Sequence, residues 1–171
     1  MINLKKILKP DFRRNARYLL TFVPDKAYLQ LHYFLTIGRF VNFKNPKTYT
    51  EKLQWLKLND KIPEYSKLVD KLAVRDHIDE VLGEGHLFPL LGVWDSFDDI
   101  DFDSLPEQFV LKCNHDSGST RVIKSKSSIT PEQMEKYREH FNRRVGRDYY
   151  YACREYPYKG LPRHIIAEAF M

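Results

Sequence analysis

Cysteine is scarce in this 171-residue sequence, and long apolar runs are missing. The two cysteines, Cys113 and Cys153, are too few for a disulfide framework and are typical of a protein in a reducing cytosol. No apolar run is long enough to cross a bilayer. Lysines interrupt the apolar stretch of the first residues, which therefore lack a signal-peptide pattern. We expect a cytoplasmic protein.

Excess positive charge is confined to one segment of the chain. The net charge is +5, and the first twenty residues contain six basic residues and one acidic residue, so the remainder is neutral. This distribution argues against a protein-wide nucleic-acid surface. The basic, amphipathic start is compatible with peripheral contact between residues 1–20 and an anionic membrane. A solvated face of a helical cap is an equally good interpretation.

The most informative stretch is residues 109–121, which read FVLKCNHDSGSTR. Its apolar start predicts a buried strand that ends near Lys112, and a second strand begins at Arg121. Residues 114–120, which we call the glycine loop, are small and polar. Backbone N–H groups in such a loop can surround phosphate oxygens while the lysine adds a point charge. An ordinary flexible hairpin with an exposed lysine is the alternative, because the loop matches no strict phosphate-loop pattern.

Helix and strand signals surround this stretch. Helices are predicted over residues 24–37, 49–58, 71–82 and 131–144, with capping boxes at Thr48 and Thr130, a cap at Asp70, and Leu53 and Leu56 facing the core. Strands are predicted near residues 88–94, 109–113, 121–124 and 164–170. The prediction is an α+β fold in which an antiparallel sheet carries helices on one face. A helical region, residues 1–62, precedes a lobe formed by residues 63–171.

Several charged residues call for an explanation. Lys71 falls in the first turn of a helix, where it is unfavourable against the helix dipole; it either helps to bind an anion or is an exposed lysine that pairs with Asp70 or Glu64. Glu168 interrupts an apolar strand and needs a partner. The acidic loop, residues 95–103, is interpreted as solvated rather than as a metal site, because it lacks the EF-hand pattern. Two further clusters are interpreted as structural rather than functional. We expect Arg143, Arg144 and Arg147 to form a solvated helix end, and the tyrosine-rich segment around Arg154 to pack onto the core.

Five segments together resemble the ATP-grasp superfamily, and most closely the ATP-grasp proteins of bacterial surface-polysaccharide loci, the teichuronopeptide-biosynthesis type. They are NPKTYTEKLQWLKL at 45–58, VDKLAVRDHI at 69–78, FPLLGVWDS at 88–96, LPEQFVLKCNHDSGS at 105–119 and PRHIIAEAF at 162–170. The resemblance implies that this chain holds an ATP-grasp N-terminal lobe. It further implies that the following residues bind ATP: Lys71 and Lys112 at the phosphates, His115, Ser117, Gly118 and Ser119 in a mobile lid, and Glu168 and Phe170 at the adenine hinge.

The resemblance also implies a function. Typical members activate a carboxylate as an acyl phosphate and then form an amide or thioester bond, so we expect an ATP-dependent amide ligase acting on a uronic-acid-containing polysaccharide. The magnesium ligands of the family lie in a second lobe, which would follow Met171, and no catalytic residue or metal ligand is assigned within this chain. We therefore expect a fragment or truncated form that binds ATP weakly and does not turn over.

Two alternatives remain open. A glycosyltransferase of the same pathway would use an Asp-x-Asp motif, and the acidic loop contains two such triplets, starting at Asp99 and Asp101, although no apolar strand leads into them. A non-catalytic remnant would bind a partner or a membrane through its basic first residues.

Overall fold

The computed structural model describes residue 15 and residues 17–171 of the chain. These residues fall into two compact units. The first holds the described residues up to Pro63 together with Tyr150–Pro157, and the second holds Glu64–Tyr149 and Tyr158–Met171. The predicted basic amphipathic segment lies almost entirely outside the described residues. Residue 15 and residues 17–171 contain no helix that is both long and apolar enough to cross a membrane.

The first unit is helical. Helix α1 covers Asp25–Ile37, α2 covers Tyr49–Asn59, and a short α6 covers Tyr150–Cys153. Helix α1 ends at Gly38, whose φ of 88° is the left-handed conformation that glycine adopts most readily. Helix α2 begins with the predicted capping box, in which Thr48 and Glu51 each bond the other's backbone N–H. Leu53 and Leu56 are exposed, so the prediction that they face the core is wrong.

The second unit contains the sheet and three helices. Helix α3 covers Tyr65–Val69, α4 covers Ala73–Leu82 and α5 covers Pro131–Val145. Short 3-10 helices in this unit cover Phe97–Asp99 and Lys126–Ser128, and a third covers Tyr156–Tyr158, where the chain returns from the first unit to the second. The Asp70 carboxylate accepts the Leu72 N–H at 2.8 Å, which satisfies one of the free donors at the start of α4. Helix α5 begins with the predicted capping box of Thr130 and Gln133.

The sheet has four antiparallel strands. They are β1 at Leu90–Trp94, β2 at Phe109–Cys113, β3 at Arg121–Ile123 and β4 at Ile165–Ala169, in the order β1-β4-β2-β3. One face carries the core of the unit, where Phe109, Leu111 and Ile165 are fully buried beneath Phe141 of α5. This arrangement confirms the predicted α+β class.

The other side of the sheet, which we call the second face, follows from strand alternation. The register places Leu90, Glu168, Val110 and Val122 in one row across the four strands. Val93, Ile166 and Lys112 form the next row. Leu90, Val93 and Val122 on the outer strands are exposed, so the second face combines an apolar surface with a central pair of opposite charges.

Candidate functional site

Lys112 and Glu168 form an ion pair at the centre of the second face. The Lys112 ammonium lies 2.5 Å from the Glu168 carboxylate, and Arg75 of α4 lies 3.3 Å from the same carboxylate. Glu168 is buried, so both cations offset the cost of removing its charge from water. The partners that the sequence analysis expected for Glu168 are therefore Lys112 and Arg75.

Lys71 lies two residues before α4, so the prediction that it falls in the first turn of this helix is wrong. Its ammonium group is directed into the glycine loop. It donates hydrogen bonds to the carbonyls of Cys113 at 2.9 Å, of Asn114 at 3.2 Å and of Asp116. All three of its ammonium protons are thereby used. Burial lowers the pKa of Lys71, the charge of Lys112 lowers it further, and Asp116 opposes both effects. Lys71 is thus not the exposed lysine that one interpretation predicted.

Asn114 fixes the start of the glycine loop. Its side-chain amide donates to the Asp70 carboxylate and to the Pro162 carbonyl, both at 3.0 Å. Its side-chain oxygen accepts the His164 N–H at 2.7 Å. Because Asp70 also caps α4, this one amide connects the start of that helix to the end of β2.

Arg144 is a site residue that the sequence analysis missed. We predicted a solvated helix end, but the Arg144 side chain is 7% exposed and donates to the Asp116 carboxylate at 2.7 Å. It also donates to the carbonyls of Ser117 and Gly118, both at 3.2 Å. The prediction is wrong because Arg144 lies one helical turn from the fully buried Phe141 and shares its inward face.

Two buried histidines contribute hydrogen bonds that hold the glycine loop. His115 is buried, and its Nε2 lies 3.2 Å from the Arg144 carbonyl. His140 of α5 donates from Nε2 to the Ser119 carbonyl at 3.1 Å, while its Nδ1 faces the guanidinium of Arg121 at 3.1 Å. Burial first, and then the charge of Arg121, lower the pKa of His140 to about 4. Burial is also the largest cause of the lowered pKa of His115.

The glycine loop is therefore anchored rather than freely flexible. Ser119 is buried, and its hydroxyl accepts the Cys113 N–H at 2.8 Å and donates to Asp116 at 2.5 Å. Of the four loop residues predicted to bind nucleotide, Ser117 and Gly118 are exposed, whereas His115 and Ser119 are not. A nucleotide approaching from solvent can therefore meet the loop at its Ser117–Gly118 tip.

The structure brings most of the predicted residues to one end of the sheet. Lys112 lies two residues before the glycine loop and pairs with Glu168 near the centre of the second face, and Lys71 bonds the residue that follows Lys112. Phe170 lies beyond the opposite end of β4, next to the residue that pairs with Phe109 at the start of β2, and is 37% exposed. The residues thus spread along the second face from a polar end to an apolar end.

The remaining clusters have structural roles. All five aspartates of the acidic loop are exposed, and Asp98 bonds to Arg138 and Asn142 of α5. No group of three or more His, Cys, Asp or Glu side chains suited to a metal ion occurs within residue 15 and residues 17–171. In the first unit, the buried Arg154 guanidinium pairs with Asp25 and lies 4.5 Å from the centre of the Tyr28 ring, in agreement with the packing interpretation.

A family model described as TupA-like ATPgrasp matches residues 51–171. No curated protein matches the chain, and no solved structure does. The family match covers the whole second unit and more than half of the chain.

Proposed function

The chain belongs to the TupA-like ATP-grasp family, and from this premise we propose that it binds ATP on the second face of its sheet. The triphosphate lies at the glycine loop and Lys112, and the base lies against the apolar outer strands. In this proposal residues 63–171 are the nucleotide lobe and residues 1–62 are a preceding helical region.

The observation that carries the proposal is the position of the two predicted lysines. They are 41 positions apart in sequence, yet Lys71 bonds the carbonyl of the residue after Lys112. Each charge is near enough to the other for Lys112 to lower the pKa of Lys71. Glu168 compensates the charge of Lys112 and Asp116 that of Lys71, and a polyphosphate would bring further negative charge to the two lysines.

The residues present fit ATP in part. Among the described residues Lys112 has a single ion-pair partner, Glu168. Glu168 also pairs with Arg75, so Lys112 can turn to a phosphate without leaving Glu168 unpaired. Leu90, Val93 and Val122 offer an apolar surface for the base. In this proposal His115 and Ser119 contribute through the backbone, since their side chains bond within the protein. Glu168 contributes by holding Lys112.

We further propose that the activity belongs to carboxylate–amine ligation in bacterial cell-surface polysaccharide biosynthesis, as the family resemblance implies. Bound ATP supplies the phosphoryl group that turns a substrate carboxylate into an acyl phosphate, with ADP as the leaving group, and an amine then displaces phosphate with loss of a proton. The chain's own residues bind and orient the polyphosphate and neutralise its charge. The described residues hold no group suited to a metal ion, so no step is assigned to one.

Calorimetric titration with ATP tests the first proposal. Lys112→Ala should weaken ATP binding by about tenfold or more, as expected for a lost charge-assisted contact. Lys124→Ala is the matched control, because Lys124 is an exposed lysine that directly follows β3 of the same sheet. It should bind ATP as the wild type does. Equal losses in the two variants, or no ATP binding by the wild type, contradict the proposal.

Release of ADP decides between the ligase proposal and the expectation, implied by the resemblance, that this chain binds ATP weakly without turnover. It should require both a uronic acid and an amine, and Lys112→Ala should reduce it. ATP binding without any release in the presence of both substrates would contradict ligation and leave nucleotide binding intact.

A further inference from the structure

The carbonyl groups of the glycine loop and of the residue before it are occupied by cationic and imidazole side chains. Lys71 donates hydrogen bonds to the carbonyls of Cys113, Asn114 and Asp116. Arg144 donates to the carbonyls of Ser117 and Gly118. His140 donates a hydrogen bond to the carbonyl of Ser119. Six carbonyls in seven consecutive residues are therefore bound by side chains from outside the loop.

Most N–H groups of the same loop lack an acceptor among the residues that the structure describes, although the Asn114 N–H donates to the His164 carbonyl at 3.1 Å. Within the described part of the chain, the backbone N–H groups of residues 115–119 have no hydrogen-bond acceptor. In a trans peptide the N–H points opposite to the preceding carbonyl. Since the carbonyls of Ser117 and Gly118 face Arg144, the N–H groups of Gly118 and Ser119 point away from it, the first on an exposed residue and the second on a buried one. Consecutive N–H groups arranged in this way attract anions.

Arg144 is not itself available to an anion. Its side chain is 7% exposed, and its charge is balanced by Asp116, which is 2% exposed. The planar guanidinium forks between that carboxylate and two loop carbonyls, a geometry that lysine cannot reproduce. Gly118 supplies the φ of 85° that the turn requires.

We propose that Arg144 is a positioning residue that sets the orientation of the peptide groups at the Ser117–Gly118 tip, so that their N–H groups receive the phosphates of the nucleotide. Arg144 acts through the loop backbone and does not contact the ligand. The inference rests on the proposed ATP binding at this loop. It gives the anchored loop a role that a freely flexible lid would not need, because the donors are oriented before the ligand arrives.

The test uses three ligands with Arg144→Ala, Arg144→Lys and, as matched control, Arg143→Ala. Arg143 is the exposed neighbour on the same helix, and its removal changes the charge by the same amount. Calorimetry measures the affinity for ATP and for adenosine. Titration with tripolyphosphate, followed by NMR, measures the shifts of the Gly118 and Ser119 amide signals.

Arg144→Ala should weaken ATP binding by about tenfold or more, because the loop N–H groups then lose their charge-assisted hydrogen bonds to the phosphates. Its affinity for adenosine should stay within about twofold of the wild-type value. Arg144→Lys should fall between Arg144→Ala and the wild type, and Arg143→Ala should match the wild type. Tripolyphosphate should shift both amide signals in the wild type, less in Arg144→Lys, and not in Arg144→Ala.

Two outcomes overturn the inference. One is an equal loss of ATP and adenosine binding, which would indicate a role in folding alone. The other is a tripolyphosphate-induced shift of the Gly118 and Ser119 signals that is as large in Arg144→Lys as in the wild type. Because Arg144→Lys keeps the positive charge, this comparison can be made even if Arg144→Ala fails to fold. Failure of the proposed function would give a result distinct from both outcomes. In that case tripolyphosphate shifts the Gly118 and Ser119 signals of the wild type, but calorimetry detects no ATP binding.

Discussion

The acidic loop after β1 and the glycine loop after β2 are both short, polar connections in the second unit, and they are held in opposite ways. Phe97 and Ile100 anchor the acidic loop in the core, while its five aspartates remain in water. In the glycine loop the polar side chains of Asn114, Asp116 and Ser119 are themselves buried. Polar composition is therefore a poor guide to solvation.

The difference has a physical origin in the available partners. The glycine loop lies against Lys71, His140 and Arg144, which satisfy its carboxylate and carbonyls inside the protein. The ion pair that ties the acidic loop to α5, between Asp98 and Arg138, is solvent-exposed on both sides. Exposed pairs contribute little to stability, whereas breaking a buried pair leaves an uncompensated charge. Substitutions in the two loops should therefore differ strongly.

The largest effect is expected for Asp116→Ala. It leaves the Arg144 guanidinium buried without its carboxylate, which should lower the free energy of unfolding by about 3–5 kcal/mol. Asp99→Ala, the matched change in the acidic loop, should alter it by less than about 0.5 kcal/mol because Asp99 is exposed. Urea unfolding measures both values. Similar losses in the two variants would remove the distinction between the loops.

Much of the fold could be predicted from the sequence because its signals are local. Thr48 and Glu51, like Thr130 and Gln133, are three residues apart and form the capping boxes that their spacing predicts. The four strands follow apolar runs bounded by turn residues. The exposure of Leu53 and Leu56 is not a local property, because it depends on which face of α2 the rest of the chain covers.

The partners within the site depend on contacts between distant residues. Glu168 needed a partner, but only the strand register and the approach of α4 bring Lys112 and Arg75 to it. Arg144 and Asp116 are 28 positions apart. A signal for Arg144 was present: it is three positions after Phe141 and four after His140, so helical periodicity places all three on one face.

A second way to test the comparison is acidification, because the glycine loop is held by a neutral His140. The folded-state pKa of His140 is about 4, below the value of about 6.5 expected in the unfolded chain. Between these values the unfolded state binds more protons, so stability falls as the pH falls from about 6.5 to about 4. The loss from His140 should reach at most about 3 kcal/mol.

Thermal unfolding between pH 7 and pH 4 measures this loss. His140→Gln keeps a side-chain N–H for the Ser119 carbonyl but does not titrate, so its stability should depend less on pH than that of the wild type. If the two profiles stay parallel throughout, His140 is not the group responsible.

A pair of serines gives the finest comparison of the two loops. Ser119 accepts the buried Cys113 N–H and donates to Asp116, so Ser119→Ala should cost about 1–3 kcal/mol by leaving both groups short of a partner. Ser96 accepts the N–H of Asp98 in the acidic loop, where water can replace it. Ser96→Ala should cost about 0.5–1 kcal/mol, the low end for a lost cap. Because both changes remove one hydroxyl, a larger loss at Ser96, measured by urea unfolding, would show that solvent access does not decide the cost.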